Sequence, residues 1–252
     1  MREGLLLGGL LTNAESWINV TKNDLDTLEK PDVTLQRRIF SSSGNPCKTF
    51  MMLELAIVPV RFVISKKRLQ FLHYILNEST TSMIRNVYEA LKNDSRKGDF
   101  ISLLNQDRVD LDINMDDSEL QIMSKWKWKK YIKERTKTAA FTSLVFDNSS
   151  KKKTKNILYS EFEMKEYLKE NVSLSLSRTI FSLRSKTLDI KEFQSWKYSD
   201  NICVKCKKHE ETINHFVSCP SYETDIENNW EDVNGDNFER QIEIARILEK
   251  RI

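Results

Sequence analysis

The hydrophobic residues of this chain are spaced mainly as they are in helices. Apolar side chains recur every three or four residues, for example at Ile84, Val87 and Leu91, which places them on one helix face. No segment alternates clearly between apolar and polar residues, so we predict an all-α chain. The predicted helices are Thr21–Glu29, Asp32–Phe40, Lys48–Ile57, Val60–Leu76, Thr81–Lys92, Asp117–Leu144, Glu161–Glu170, Ser173–Leu183 and Gly235–Arg251.

Proline and isolated polar residues refine this pattern. Pro31 closes the first predicted helix and suits the first turn of the second, because it lacks an N–H and fixes φ. Glu54 lies in an apolar helix, and we predict that it is a buried partner for Arg61 or Arg68. His73 lies between apolar neighbours and is predicted to be half-buried and hydrogen-bonded.

The composition indicates a folded chain that is not a polycation. The 252 residues are 39% hydrophobic and 31% charged, with a formal net charge of +3. Any nucleic-acid surface must therefore come from local clustering of basic residues. The charged, serine-containing stretch Asp147–Lys155 is the best candidate for a linker.

The apolar runs are too short for a membrane span. Gly4–Leu11 is such a run, far below the about 20 residues that cross a bilayer. The cysteines are spaced like metal ligands rather than like a disulfide framework. We therefore expect an intracellular protein of the cytoplasm, the nucleus or both, with no membrane partner.

Three of the four cysteines lie in one segment that has the spacing of a metal site. Cys203 and Cys206 form a C-x-x-C pair, His215 follows nine positions later, and Cys219 four positions after that. A helix would place His215 and Cys219 on one face, and tetrahedral zinc prefers this donor set. His209 remains an alternative fourth ligand in place of Cys219. Four protein ligands leave no open position, so we predict a structural rather than a catalytic zinc.

These residues resemble a known family. The C-x-x-C pair, Glu211-Thr212, His215, Cys219-Pro220 and Tyr222 are similar to the C-terminal zinc-binding segment of non-LTR (LINE-like) retrotransposon reverse transcriptases. The upstream stretches that extend the resemblance are Gly8-Gly9, Glu15–Trp17, Leu53–Pro59, Arg68-Leu69, His73 and Phe181–Ser185. The chain departs from the family in its shorter gap between His215 and Cys219, and in Lys186, which stands where the family usually has glycine.

The resemblance implies a domain organisation. Residues 1–146 would form a thumb-like and post-thumb helical region, and residues 147–155 a basic linker. Residues 156–252 would form a second helical region that carries a small zinc knuckle at 203–219. The implied fold class is an all-α chain with thumb-like helices and a C-terminal zinc knuckle.

The resemblance also implies what this piece does not do. A polymerase needs a metal-binding aspartate pair, and we find none; Asp116-Asp117 follows a polar stretch and is interpreted as an exposed helix start. The family's endonuclease is not found either. We therefore expect a fragment that is not an enzyme by itself, with Gly4–Leu11 packing on the missing polymerase palm, a possible partner.

The strongest basic feature is a lysine-rich stretch of the predicted helix Asp117–Leu144. Its candidate nucleic-acid-binding residues are Lys125, Lys127, Lys129, Lys130, Lys133, Arg135 and Lys137. Cationic side chains neutralise phosphates, and aromatic planes stack on unpaired bases. We expect Trp126 and Trp128 to lie in the core and the lysines to contact RNA or DNA. The alternative is a helical protein-interaction module with a structural zinc, whose basic helix is only solvated.

Overall fold

The computed structural model describes residues 8–40, 44–94, 96–169, 171–221 and 238–249. In these ranges the chain is helical, with no β-strand and one isolated bridge between Ile202 and Glu210. The all-α prediction is therefore confirmed for the described residues. The helices are α1 (Gly8–Leu10), α2 (Lys22–Phe40), α3 (Lys48–Glu54), α4 (Val60–Asn77), α5 (Met83–Asn93), α6 (Phe100–Asp110), α7 (Asp117–Ile122), α8 (Lys125–Ser149), α9 (Leu174–Arg184), α10 (Ile213–Ser218) and α11 (Phe238–Glu249).

Side-chain caps fix the beginnings of seven of these helices, and at α2 and α8 the hydroxyls of Thr21 and Ser124 accept from the N–H groups of Asp24 and Lys127. Cys47, Asp99, Asp116, Ser173 and Thr212 each accept a hydrogen bond from the backbone N–H three residues later. Such a bond satisfies one of the N–H groups that a helix start leaves unpaired, and an oxygen cap typically contributes about 1 kcal/mol.

The predicted break at Pro31 was wrong, because α2 runs through it from Lys22 to Phe40. A proline inside a helix removes one hydrogen bond and costs roughly 3 kcal/mol. Glu29, Asp32 and Val33 are all buried around the proline. Tertiary packing on both sides of Pro31 therefore outweighs the local preference for a break.

The predicted helix Asp117–Leu144 is in fact two helices, α7 and α8. Met123 has an extended backbone with ψ of 130°, and its carbonyl oxygen lies 2.8 Å from Nε2 of His73. This contact joins the break to α4, fifty residues earlier in the chain. Helix α8 then continues to Ser149, so it includes the first residues of the predicted basic linker.

The other helix predictions had mixed outcomes. Those for α3, α4, α5 and α9 are confirmed to within a few residues at each end, and α11 is confirmed over Phe238–Glu249. The rest of the predicted helix Gly235–Arg251 lies outside the described residues, as does Tyr222. The predicted helix Glu161–Glu170 was wrong, because the described part of it holds only a 3-10 turn at Glu166–Leu168. Helix α6 was not predicted.

The chain forms two compact units that are discontinuous in sequence. The first combines the described residues up to Asp32 with Val58–Ser143, and the second combines Val33–Ile57 with the described residues from Leu144 onward. No helix among the described residues is long and apolar enough to cross a membrane.

Each unit has its own apolar core. In the first unit, Leu11 and Ala14 pack against Val60 and Ile64. Leu11 is fully buried there, so the part of Gly4–Leu11 that the structure describes already has a partner within the chain. In the second unit, the buried cluster is Leu183, Leu188, Ile190, Phe193, Ile213, Phe216, Ile244 and Leu248.

Candidate metal centre and nucleic-acid interface

Cys203 and Cys206 lie on a tight knuckle turn in the second unit. The backbone N–H of Cys203 donates to the carbonyl of His209 at 2.8 Å, and the N–H of Lys207 donates to the carbonyl of Cys203 at 3.1 Å. Lys207 adopts a left-handed φ of 58°, which allows the chain to reverse. The turn therefore brings both sulfur atoms to the same side of the loop.

The other two candidate ligands come from α10 and its C-terminal end. Thr212 caps the helix by accepting a hydrogen bond from the N–H of His215 at 3.1 Å. His215 lies in the helix, and Cys219 is the residue at which it ends. Pro220 follows and cannot continue the helix. The predicted spacing of one helical turn thus places His215 and Cys219 together.

The four side chains converge on one point. The ligand atoms of Cys203, Cys206, His215 and Cys219 all lie within 4.8 Å of one another. Sγ of Cys203 is 4.0 Å from Sγ of Cys219, and Sγ of Cys206 is 3.3 Å from Nε2 of His215. In a tetrahedral site with Zn–S bonds of about 2.3 Å, neighbouring sulfur atoms lie about 3.8 Å apart. The four residues therefore fit a tetrahedral metal ion.

Burial and charge at the cluster suit thiolate ligands. Cys203 and Cys219 are buried, whereas Cys206 and His215 are half-buried. The backbone N–H of Lys208 is the main cause that lowers the pKa of the Cys206 thiol to about 6. Burial raises the pKa of Cys203, and a bound cation would offset this effect by stabilising the thiolate.

Two carboxylates that the sequence analysis did not assign brace the knuckle. Buried Glu211 accepts hydrogen bonds from the N–H groups of Lys191 and Val204, both at 3.1 Å. Glu192 accepts from the N–H of Ile213 at 2.6 Å, at the start of α10. These bonds join the preceding loop, the cysteine turn and the ligand helix. Glu211 belongs to the Glu211-Thr212 pair of the family resemblance, whereas Glu192 lies eleven residues before Cys203 and no sequence signal indicated its role.

The alternative ligand and the fourth cysteine lie outside the cluster. His209 is exposed, and its ring centre is 5.3 Å from that of His215. The fourth ligand of the cluster is therefore Cys219 and not His209, the alternative that the sequence left open. Cys47 caps α3, and its sulfur atom lies 3.9 Å from Oγ1 of Thr154.

The basic residues of α8 lie in three different environments. Lys125, Lys127, Lys129, Lys130 and Lys133 are exposed, and none forms a salt bridge with a residue that the structure describes. Lys137 is half-buried. The guanidinium group of Arg135 pairs with the carboxylate of Asp112 and donates to the carbonyl of Leu111 at 3.0 Å. Arg135 is therefore already engaged within the chain.

The two tryptophans of α8 have opposite environments. Trp128 is 1% exposed and belongs to the core, as predicted. Trp126 is 70% exposed, so the prediction that it is buried was wrong. Trp126 lies two residues before Trp128, about 200° away around the helix, and therefore points to the solvent. The ammonium of Lys130 lies 5.6 Å from the Trp126 ring centre.

The buried carboxylate of Glu54 has a partner different from the predicted ones. It pairs with Arg184, and both side chains are fully buried. Arg68 instead pairs with Asp107 at 2.6 Å, and Arg61 donates to the hydroxyl of Ser143. The family-like motif Phe181–Ser185 therefore supplies the arginine that neutralises Glu54.

The Asp116-Asp117 pair is fully engaged in structure. Asp116 caps α7 in a capping box with Glu119. Asp117 pairs with Lys92 at 2.8 Å and with Arg108 at 2.5 Å. The two carboxylates therefore have the role of a helix start, as the sequence indicated.

Lys186, which stands where the family of the resemblance usually has glycine, has a left-handed backbone. Helix α9 ends with hydrogen bonds from the N–H of Lys186 to the carbonyl of Leu183 and from the N–H of Thr187 to that of Ser182. This is a Schellman motif, in which the residue that turns the chain is usually glycine. Lys186 holds that place with φ of 53°.

Comparisons of the chain with protein-family models, with curated proteins and with solved structures found no significant match.

Proposed function

We propose that this chain is a helical nucleic-acid-binding module, stabilised by one zinc ion, that contacts RNA or single-stranded DNA through α8. The observation that carries the proposal is a row of three lysines and one tryptophan on that helix, in which Trp126, Lys130 and Lys133 are exposed and Lys137 is half-buried. Trp126, Lys130, Lys133 and Lys137 follow one another at intervals of four, three and four residues, which places them along one face. We call these four residues, with Lys127 beside them, the basic stripe.

The basic stripe has the chemistry of a single-strand contact. Its exposed lysines form no salt bridge within the described ranges, so their charges are available to phosphates. Each neutralised phosphate of a single strand releases counterions and contributes about 0.7 to the salt slope of the binding constant. The exposed indole of Trp126 offers a plane on which an unpaired base can stack.

Zinc is the metal that the donor set favours. Three thiolates and one imidazole form a soft to borderline set, and four protein ligands complete a closed tetrahedral sphere. Closed spheres are typical of structural rather than catalytic zinc. Cys203, Cys206, His215 and Cys219 would hold the ion and fix the cysteine turn against α10.

The resemblance to the C-terminal region of retrotransposon reverse transcriptases agrees with this proposal and remains a hypothesis. That region would carry a zinc segment and contact nucleic acid beside the polymerase palm. We propose no polymerase chemistry for this chain, since the carboxylates of Asp116 and Asp117 serve the start of α7.

A fluorescence-anisotropy titration with labelled single-stranded RNA and DNA, repeated at several salt concentrations, tests the proposal. We expect the triple substitution Lys127→Gln, Lys130→Gln and Lys133→Gln to weaken binding for all sequences and to reduce the salt slope by about 2. Helix content should not change, because lysine and glutamine have similar helix propensities.

A matched control removes the same charge elsewhere in the first unit. Lys22, Lys30 and Lys97 are exposed lysines outside α8, and their replacement by glutamine should leave most of the affinity and the slope intact. If the two triple variants bind equally, the basic stripe is only solvated. The alternative of a protein-interaction module with a structural zinc then becomes the better proposal.

A further inference from the structure

A cavity of about 340 Å³ lies in the first unit, beside the connection between α7 and α8. This volume falls within the range of small-molecule sites, which begins at about 300 Å³. Its lining comes from the C-terminal half of α4, the end of α7 and the first turn of α8. The basic stripe contributes none of the lining residues.

One part of the lining is aromatic. Trp128 and His73 both line the cavity, and their rings are stacked with centres 6.0 Å apart and planes 12° apart. Tyr74 lines it as well and is 52% exposed. The indole N–H of Trp128 is buried and has no hydrogen-bond partner. Because the indole nitrogen is closed to solvent and the Tyr131 ring stacks on Trp128 with centres 5.9 Å apart, the aromatic surface open to a ligand is mainly that of Tyr74, and the Trp128 N–H is a nearby reporter of binding.

The other part of the lining is cationic. Lys125 and Lys129 line the cavity one helical turn apart, and neither forms an ion pair with any described residue. Ser124 also lines it, directly before the first residue of α8. The Ser124 hydroxyl accepts from the N–H of Lys127 at 3.4 Å, and the remaining N–H groups of the first turn, with the helix dipole, favour an anion such as a phosphate. No aspartate or glutamate is among the residues that line the cavity.

We infer that this cavity binds one nucleoside monophosphate unit, with the base against the aromatic lining and the phosphate at Lys125, Lys129 and the start of α8. The unit can be a free nucleotide or one unpaired residue of a strand. The inference deepens the proposed function, and binding of a nucleotide within a strand rests on that function. It uses lysines different from those of the basic stripe, so the two proposals can fail separately.

The indole N–H resonances in a ¹H–¹⁵N correlation spectrum of the full chain give a direct readout. Substitution of Trp128→Phe assigns the Trp128 signal. AMP, GMP, CMP and UMP are titrated separately, with adenosine, inorganic phosphate and a short single-stranded RNA as further probes. We expect AMP or another nucleotide to shift the Trp128 signal, and adenosine to bind at least about tenfold more weakly, because it lacks the charge that the lysines recognise.

Calorimetric titration of two variants keeps the test independent of the tryptophan substitution. The double variant Lys125→Gln, Lys129→Gln changes exposed side chains and should retain the fold, while nucleotide affinity falls about tenfold or more. The basic-stripe triple variant should bind the mononucleotide as the parent does, although its RNA affinity falls.

The probes separate the possible results. A shift with a mononucleotide supports a site for the free ligand, and a shift with RNA alone supports recognition within a strand. The inference is overturned if no nucleotide or strand moves the Trp128 signal, or if inorganic phosphate binds as tightly as AMP. Salt-dependent RNA binding without that shift would leave the proposed function intact and remove only the cavity site.

Discussion

The buried pair of Glu54 and Arg184 offers the sharpest test of how the second unit is stabilised. The carboxylate accepts from Nε of Arg184 at 3.1 Å and from Nη2 at 2.9 Å. The hydroxyl of Tyr159 donates to it at 2.7 Å, and the hydroxyl of Tyr167 also donates to it. Four hydrogen-bond donors therefore converge on one buried carboxylate, and neither charged side chain of the pair is exposed to solvent.

Substitution of Glu54→Gln removes the negative charge and leaves Arg184 buried with its positive charge. Burial by itself lowers the pKa of Arg184, but Glu54 outweighs this effect and raises the pKa above its ordinary value. Without that partner the guanidinium is an uncompensated buried charge. Loss of one member of a buried ion pair costs about 3–5 kcal/mol, and full burial places this pair near the upper end.

Guanidinium chloride denaturation followed by far-UV circular dichroism, with zinc present, measures the effect. The double variant Glu54→Leu, Arg184→Met removes both charges and should lose much less stability than Glu54→Gln, because replacing a whole buried pair by apolar residues is often neutral. As a control, Glu166→Gln breaks an exposed pair with Lys169 and should cost below about 1 kcal/mol. A cost below about 1 kcal/mol for Glu54→Gln would refute the reasoning.

Three further predictions concern other parts of the chain. Cys206→Ser should abolish stoichiometric zinc in elemental analysis whereas Cys47→Ser should not, and the opposite result would show a wrong ligand set. Burial raises the pKa of Asp117, but three hydrogen bonds outweigh this and lower it from 3.8 to about 2. Its contribution to stability is therefore present above about pH 4 and lost as the pH falls towards 2. Denaturation across this range should show a smaller acid-induced loss for Asp117→Asn than for the parent, and equal losses would contradict the assignment. Lys186→Gly should raise the melting temperature. The left-handed backbone costs a lysine about 1–2 kcal/mol, and the additional chain entropy that a glycine loses on folding is smaller than that. A lower melting temperature would show that contacts of the lysine side chain matter more.

The sequence predicted features that depend on neighbouring residues. The metal ligands could be predicted because a C-x-x-C turn and two residues one helical turn apart are local patterns. The core position of Trp128 followed from the apolar face of its helix in the same way. Trp126 was predicted to be buried as well, although the same helix geometry places it about 200° from Trp128 and therefore on the exposed side.

Features that depend on distant residues could not be predicted. The break before α8 involves a contact between Met123 and His73, and its local mark is the single cap residue Ser124. The continuity of α2 through Pro31 depends on buried neighbours rather than on helix propensity. The partner of Glu54 was sought among nearby arginines, although Arg184 lies 130 residues further along the chain.

That separation has a consequence for synthesis on the ribosome. At about 5–20 residues per second, roughly 7 to 26 seconds pass between the addition of Glu54 and that of Arg184. Throughout this interval α9, which carries Arg184, has not been completely synthesised, and Glu54 of α3 has no partner. Phe50, Met51 and Leu53 of α3, which are buried in the native structure, are uncovered as well. Val58–Ser143, the later part of the first unit, is synthesised within this interval, so the first unit can fold before Arg184 is added. The apolar side chains of the nascent α3 then stay uncovered until the second unit is complete, and a chaperone that binds apolar segments would protect them.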